Sequence, residues 1–233
     1  MLTILYMEVS PLLNKQDYDR SMVYIDESRK KKVNAARQEK NRILSLAAGL
    51  LISYAVFMYQ KNNQKMESTV RGLDLLKLLE LFENENSFWW DASVKVNETP
   101  NGKPYLADHS ELFFNVSHSG DYAVLVLSNQ EVGVDIQKWK PVSGSFSKRL
   151  LHIQESCDFG EENLFSIWTA KEAFVKCTGE GLQKDFKQLF IDFKKERVID
   201  TKTGISLQLT QMQWIPGYSL SVCTQDSTYT EFT

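Results

Sequence analysis

The sequence has few of the residues that build zinc sites or disulfide frameworks. It contains three cysteines, Cys157, Cys177 and Cys223, without a CxxC pair, and three histidines, His109, His118 and His152, without zinc-ligand spacing. An odd, unpaired set of cysteines favours free thiols in a reducing, cytoplasmic setting. The sequence therefore predicts neither a zinc centre nor a disulfide-stapled scaffold.

A strong net charge of either sign is also missing. The formal net charge is −3 and the pI is about 5.7, so no global field attracts nucleic acid. The basic run Arg29 to Lys32 is the local exception. It is typical of a solvated helix face, and two alternatives are a nucleic-acid-binding surface and a contact with a nucleotide phosphate.

One uncharged apolar run, Ile43 to Tyr59, raises the question of a membrane span. The run is shorter than the ~20 residues that a span needs, and basic residues flank both of its ends. The N-terminus also lacks the basic region and cleavage site of a signal peptide. We therefore predict a buried helix and no membrane association.

Periodicity predicts a mixed α+β chain with two domains, residues 1–130 and 131–233. Helices are expected at Gln16 to Tyr24, Glu27 to Arg42, Ile43 to Tyr59, Val70 to Glu83, Phe146 to His152 and Asn163 to Cys177. Strands are expected at Leu2 to Val9, Phe113 to Val116, Tyr122 to Ser128, Val132 to Ile136, Leu189 to Phe193, Ile205 to Leu209 and Tyr218 to Cys223. Turns are expected at Asn97 to Lys103 and Ser117 to Asp121.

The segment Trp168 to Lys176 (WTAKEAFVK) carries the first chemical signal. At i, i+4 and i+8, Trp168, Glu172 and Lys176 form one stripe of a helix, while Ile167 and Phe174 can face a core. A carboxylate beside ammonium groups suits a divalent metal and a polyphosphate. The alternative is an ordinary exposed ion pair.

The strand Val132 to Gln137 carries the second signal. Gly133, Asp135 and Gln137 share one face, and a glycine beside an aspartate leaves space for a ligand. Mg²⁺ takes few protein carboxylates, and Asp135 and Glu172 are candidates for them. The alternative is that Asp135 caps a helix or pairs with a lysine.

Two weaker signals lie upstream. Ser117-His118 at a strand end offers a hydroxyl, an imidazole and turn amides to a phosphate, whereas adjacent residues make a poor Ser/His hydrolytic pair. Gly102-Lys103-Pro104 is a turn that presents a lysine. A polar turn is the alternative for both.

In this order the motifs resemble those of the 4′-phosphopantetheinyl transferases of the single-chain, surfactin-synthetase-activating type. Gly133-Val134-Asp135 matches the family's G-[IV]-D strand, and Trp168 to Lys176 matches its W-[ST]-x-K-E-[AS]-x-x-K helix. Phe114 to Ser119 matches F-N-x-S-H-S, Gly102 to Pro104 matches G-K-P, and Arg42 opens an apolar helix as in the family.

The resemblance implies two similar α/β halves related by pseudo-twofold symmetry, with the active site in the cleft between them. It implies a monomer that transfers phosphopantetheine from coenzyme A to a serine of an acyl or peptidyl carrier protein, with Mg²⁺. Adenosine 3′,5′-bisphosphate is the other product. The alternative is an inactive homologue that binds coenzyme A or a carrier protein.

The resemblance also implies residue roles. Asp135 and Glu172, with Gln137, are implied as metal ligands; Glu172, Lys176 and Asp135 are the catalytic residues. Binding of coenzyme A is implied for Asp135, Lys171, Glu172 and Lys176, and for Arg42, Lys103, Pro104, Ser117 and His118. Many relatives carry a carboxylate where this chain has Gln137, so the third ligand brings no charge.

Overall fold

The computed structural model describes residues 1–85, 94–142, 144–155, 161–181 and 183–225. By its internal contacts the chain divides into two units, one of residues Met1–Asn129 and one that begins at Gln130. Each unit combines a β-sheet with helices, which confirms the predicted mixed α+β class. The symmetry of the two halves and a cleft between them stay predictions.

The helices are α1 (Lys15–Met22), α2 (Glu27–Ala35), α3 (Glu39–Lys61), α4 (Leu75–Asn84), α5 (Gly144–Leu150) and α6 (Glu161–Thr178). The strands are β1 (Leu2–Glu8), β2 (Thr69–Leu73), β3 (Val96–Glu98), β4 (Pro104–Leu106), β5 (Phe113–Ser119), β6 (Tyr122–Ser128), β7 (Val132–Lys138), β8 (Leu189–Asp192), β9 (Arg197–Asp200), β10 (Ser206–Met212) and β11 (Tyr218–Thr224).

The N-terminal unit packs α3 against a four-stranded sheet of order β2-β1-β6-β5. Strands β1 and β2 pair in parallel, and the other two pairings are antiparallel. The most apolar window of α3 is long enough to span a membrane, yet 83% of it is buried inside the fold. This burial confirms the predicted buried helix, because α3 supplies much of the core of its unit.

Two helix predictions in this unit need correction. The charged segment Glu27 to Arg42 is not one helix. It contains α2 and the first residues of α3, which are separate because the backbone is extended at Ala36 and Gln38. The N-terminal part of Val70 to Glu83 is strand β2, and helix α4 begins only after Asp74, whose carboxylate accepts the Lys77 amide at 3.0 Å. Pairing with β1 outweighs the local helical pattern there.

The C-terminal unit packs α6 against an antiparallel sheet of order β7-β11-β10-β9-β8. Ile167, Ala170 and Phe174 of α6 have no exposed surface, as the helical spacing predicts. The helix ends at Thr178, and Gly179 follows it with a φ of 74° and donates its amide to the Val175 carbonyl at 2.9 Å. Strand β9 was not predicted, and Cys157 lies outside the described residues.

Candidate active site

Asp135 of β7 and Lys176 of α6 form the ion pair at the centre of the candidate site. Lys176 Nζ donates to Asp135 Oδ1 at 2.7 Å and to the Val134 carbonyl at 3.0 Å. Both side chains are largely buried, with 9% of the Asp135 side chain and 28% of the Lys176 side chain exposed. The two motifs that are far apart in the sequence therefore meet at one point in the fold.

Gly133 permits this meeting. A Cβ atom at Gly133 would lie 2.0 Å from the Ala173 carbonyl oxygen and 2.4 Å from the Cys177 amide nitrogen. Backbone atoms cannot yield as a flexible side chain can, so only glycine allows α6 to lie this close to β7. The space left by the missing side chain of Gly133 is thus filled by the α6 backbone, whereas a ligand beside Asp135 stays a prediction.

Glu172 is a buried carboxyl group without a hydrogen-bond donor among the described residues. Only 6% of the residue is exposed. The pKa of Glu172 is raised to about 7, mainly by burial and also by the nearby Asp135 charge, and Lys176 offsets part of the effect. Such a carboxyl group can exchange a proton near neutral pH. It can also bind a cation other than the ammonium group of Lys176.

Glu172 opens into a cavity of about 550 Å³ within the C-terminal unit. Trp168 lines the cavity and packs between Phe146 and Phe186, with ring centroids 5.2 Å and 5.3 Å away. Arg149 and Lys187, which sequence reasoning missed, also line it. Their isolated positions outside any motif give no signal that a single sequence would reveal.

Lys171 is not among the residues that line this cavity, and its complete burial argues against its predicted contact with coenzyme A. It has no exposed surface, and Nζ donates to Glu155 Oε2 at 2.7 Å and to the Leu150 and Phe186 carbonyls at 2.8 and 3.2 Å. Burial lowers the pKa of the Lys171 ammonium, and Glu155 offsets part of that effect. Lys171 therefore ties together the segments around the cavity.

Gln137 lies on the same face of β7 as Gly133 and Asp135, since alternate strand residues share a face. Its Nε2 donates to the Lys138 carbonyl at 3.2 Å. Within the described parts of the chain, no group of three or more His, Cys, Asp or Glu side chains could hold a metal ion. The acidic donors at the site are thus Asp135 and Glu172.

Ser117 and His118 are strand residues, not the predicted turn residues. The β5–β6 register is regular through both, with Ser117 opposite Val124 and His118 opposite Ala123. Neighbouring strand residues face opposite sides; Ser117 is buried and His118 is exposed. This alternation argues against a hydrolytic pair, and His118 is the more exposed of the two; their shared contact with a phosphate stays a prediction.

The other predicted coenzyme A residues are partly exposed. Arg42 lies near the start of α3 and donates to the Ala36 carbonyl at 3.3 Å. Lys103 and Pro104 follow a turn in which Gly102, with a φ of 81°, donates its amide to the Thr99 carbonyl at 2.8 Å. The turn predicted at Asn97 to Lys103 joins β3 to β4, although β3 includes its first two residues.

The basic run of α2 is largely neutralised. Arg29 is buried with 7% exposure, Lys30 pairs with Glu27 at 2.7 Å, and Lys32 pairs with Glu98. Paired cations attract phosphate weakly, so this placement argues against a nucleic-acid-binding face on α2.

These features define an α+β protein with two facing carboxylates and a lysine at a helix–strand contact. Residues 131–223 match the model of the 4′-phosphopantetheinyl transferase superfamily. The family resemblance based on the motifs is therefore confirmed.

Three curated relatives are the transferases psf-1 of Bacillus pumilus, Sfp of Bacillus subtilis (strain 168) and AcpT of Salmonella typhimurium. Psf-1 is 29% identical over 54% of this chain and 58% of its own length. Sfp is 25% identical over 57% of this chain and 63% of its own length; AcpT is 31% identical over 53% and 63%. The chain thus spans about six tenths of the relatives' length.

Proposed function

We propose that this protein transfers 4′-phosphopantetheine from coenzyme A to a serine hydroxyl of an acyl or peptidyl carrier protein. The observation that carries the proposal is Glu172, a buried carboxyl group without a donor in the described structure, held beside Asp135 and Lys176. The relatives that share this region are named 4′-phosphopantetheinyl transferases. The protein would act in the cytoplasm as a monomer.

The donor chemistry fits Mg²⁺, which binds one or two carboxylates and completes its shell with water and phosphate oxygens. Asp135 and Glu172 would hold the ion, with Gln137 as a neutral third ligand. When bound, Mg²⁺ would neutralise the diphosphate charge that rises as the P–O bond breaks. The raised pKa of Glu172 supports this fit, since the site disfavours two uncompensated negative charges.

The reaction joins the serine oxygen to the phosphorus that carries the pantetheine arm and breaks its bond to adenosine 3′,5′-bisphosphate. The serine proton must leave, and Glu172, or a water on the metal, is the candidate base. Lys176 would stabilise the charge on the leaving diphosphate oxygen. His118 and Arg42 would bind the 3′-phosphate, and Lys103 and Pro104 would lie against the adenine.

The direct test incubates the protein with an apo carrier protein, coenzyme A and Mg²⁺ and measures the intact mass of the carrier. We expect a gain of one phosphopantetheine, absent when the carrier serine is alanine and reduced at least about 100-fold in Glu172→Gln. A carrier mass unchanged with every divalent metal would refute the transferase proposal.

Gln137 favours a second candidate, a homologue that binds coenzyme A or a carrier protein without turnover. This function predicts saturable binding of coenzyme A, measured by calorimetry, with no mass gain on any carrier. Gln137→Glu separates the two functions: activity that appears only in this variant would show that the missing carboxylate disables the wild-type site.

A further inference from the structure

A second cavity lies in the N-terminal unit, and the proposed reaction does not use its lining residues. It encloses about 280 Å³ beside the C-terminal half of α3 and strands β1 and β2. Met58 of α3 lines it, whereas Arg42 lies near the start of the same helix. At 1.5 Å per residue these two positions are about 24 Å apart along the helix.

Part of the cavity lining is apolar. Leu5, Ala55 and Leu127 contribute rigid aliphatic surface, and Met58 and Met66 contribute adaptable side chains. A lining of this kind suits a flexible hydrocarbon body more than a polar one.

Tyr54 and Arg71 provide a polar end. Arg71 Nη1 donates to the Tyr54 hydroxyl at 2.8 Å, and Tyr54 is only 6% exposed. The Tyr54 proton has no acceptor, and the other Arg71 nitrogens have no acceptor, among the described residues. A buried hydroxyl proton and an open guanidinium edge in one cavity are suited to a carboxylate, which accepts two parallel bonds from arginine.

The other charges around the cavity leave a positive surplus. Lys65 has no ion-pair partner in the described part of the chain, and Lys61 pairs with Glu85. The one carboxylate in the lining, Glu67, accepts from Asn62 Nδ2 at 3.2 Å. The electrostatic balance therefore favours a ligand with a single negative charge.

We propose that this cavity binds a small amphipathic carboxylate, with its head group on Arg71 and Tyr54 and its hydrocarbon chain on the methionines. At about 30 Å³ for each water-sized group, the volume matches a chain of roughly eight carbons. This site is separate from the coenzyme A site and does not depend on the proposed transfer reaction.

The test titrates octanoate into the full-length protein and measures binding by calorimetry. We expect saturable binding with a negative heat-capacity change, and at least about 10-fold weaker binding of octanol, which lacks the charge. Arg71→Met should weaken octanoate binding at least about 10-fold and Tyr54→Phe several-fold. Lys77→Met removes the same charge from the exposed face of α4 and should bind like the wild type.

Circular dichroism melts of each variant verify that the fold is retained. Octanoate and octanol binding equally, or Arg71→Met binding octanoate like Lys77→Met, would overturn the proposal. Stoichiometric displacement of octanoate by coenzyme A would overturn it as well, because the two sites would then be one.

Discussion

Burial of Glu172, assisted by the charge of Asp135, gives this carboxyl group a pKa of about 7 in the folded protein, against 4.5 for an ordinary glutamate. Between these two values the folded state holds a proton that the unfolded chain releases. The free energy of unfolding must therefore fall as the pH rises through that window. The shift corresponds to about 3 kcal/mol as an upper limit.

The part of the pH dependence of stability that Glu172 causes should disappear when its carboxyl group is replaced. We expect the wild type, without metal, to lose up to about 3 kcal/mol of unfolding free energy relative to Glu172→Gln between pH 4.5 and 7.5. Urea denaturation at a series of pH values measures the difference. Glu80→Gln, on the exposed face of α4, is the control and should follow the wild type. Parallel pH profiles of wild type and Glu172→Gln would contradict the raised pKa.

Among single residues, helical spacing placed Glu172 and Lys176 on one stripe, whereas their link to Asp135 came from the metal chemistry and the family resemblance. The fold does bring Lys176 to Asp135, with 2.7 Å between Nζ and Oδ1. The same period places Lys171 on the arc of Ile167 and Phe174, which is the core face. Its charge suggested a solvent or ligand contact instead. Only the fold reveals its buried partner, Glu155, since nothing local pairs residues that far apart.

At the scale of elements, the contact between α6 and β7 depends on the missing side chain of Gly133. Gly133→Ala must push a backbone segment of α6 away, because the new Cβ would lie 2.0 Å from a carbonyl oxygen. We expect a loss of about 3 kcal/mol or more of unfolding free energy, and slower transfer as Glu172 and Lys176 move from Asp135. Urea denaturation and the carrier mass assay measure the two effects.

Gly72→Ala in β2 is the matched control, since its Cβ would meet only the far end of the Tyr6 side chain. That ring can move, so the cost should be about 1 kcal/mol or less, and transfer should be unaffected. Equal losses of unfolding free energy in the two glycine variants would show that stability does not depend on the close contact between α6 and β7.

The stability of the C-terminal unit should also depend on the buried ion pair Lys171–Glu155. Lys171→Met leaves a buried carboxylate without its cation, which costs about 3 to 5 kcal/mol. The double variant Lys171→Met/Glu155→Gln should lose less unfolding free energy than the two single variants lose together. Urea denaturation measures these losses. Lys15→Met, which breaks the exposed pair with Asp19, should cost less than about 1 kcal/mol. A similar small cost for Lys171→Met would contradict the assigned role.

Element prediction succeeded where local pattern and final pairing agree, and failed where pairing is non-local. Strands β7 and β11 alternate and β6 is a continuous apolar run, and all three were predicted. In contrast, β2 lies in a segment whose leucines continue a helical pattern, and only its parallel partner β1 makes it a strand. Strand β9 has just two apolar residues, Val198 and Ile199, and depends on its neighbours β8 and β10.

At the scale of the whole molecule, the proposed metal site should link ligand binding to stability. With coenzyme A present, Mg²⁺ at 100 times its Kd should add about 2.7 kcal/mol of unfolding free energy. For a chain of this size that corresponds to a Tm increase of roughly 5 to 10 °C.

Glu80→Gln should show the full increase, whereas Asp135→Asn and Glu172→Gln should lose most of it. Calorimetric melts with NaCl at matched ionic strength separate site binding from screening. An increase that NaCl reproduces, or that survives in both site variants, would place the metal elsewhere.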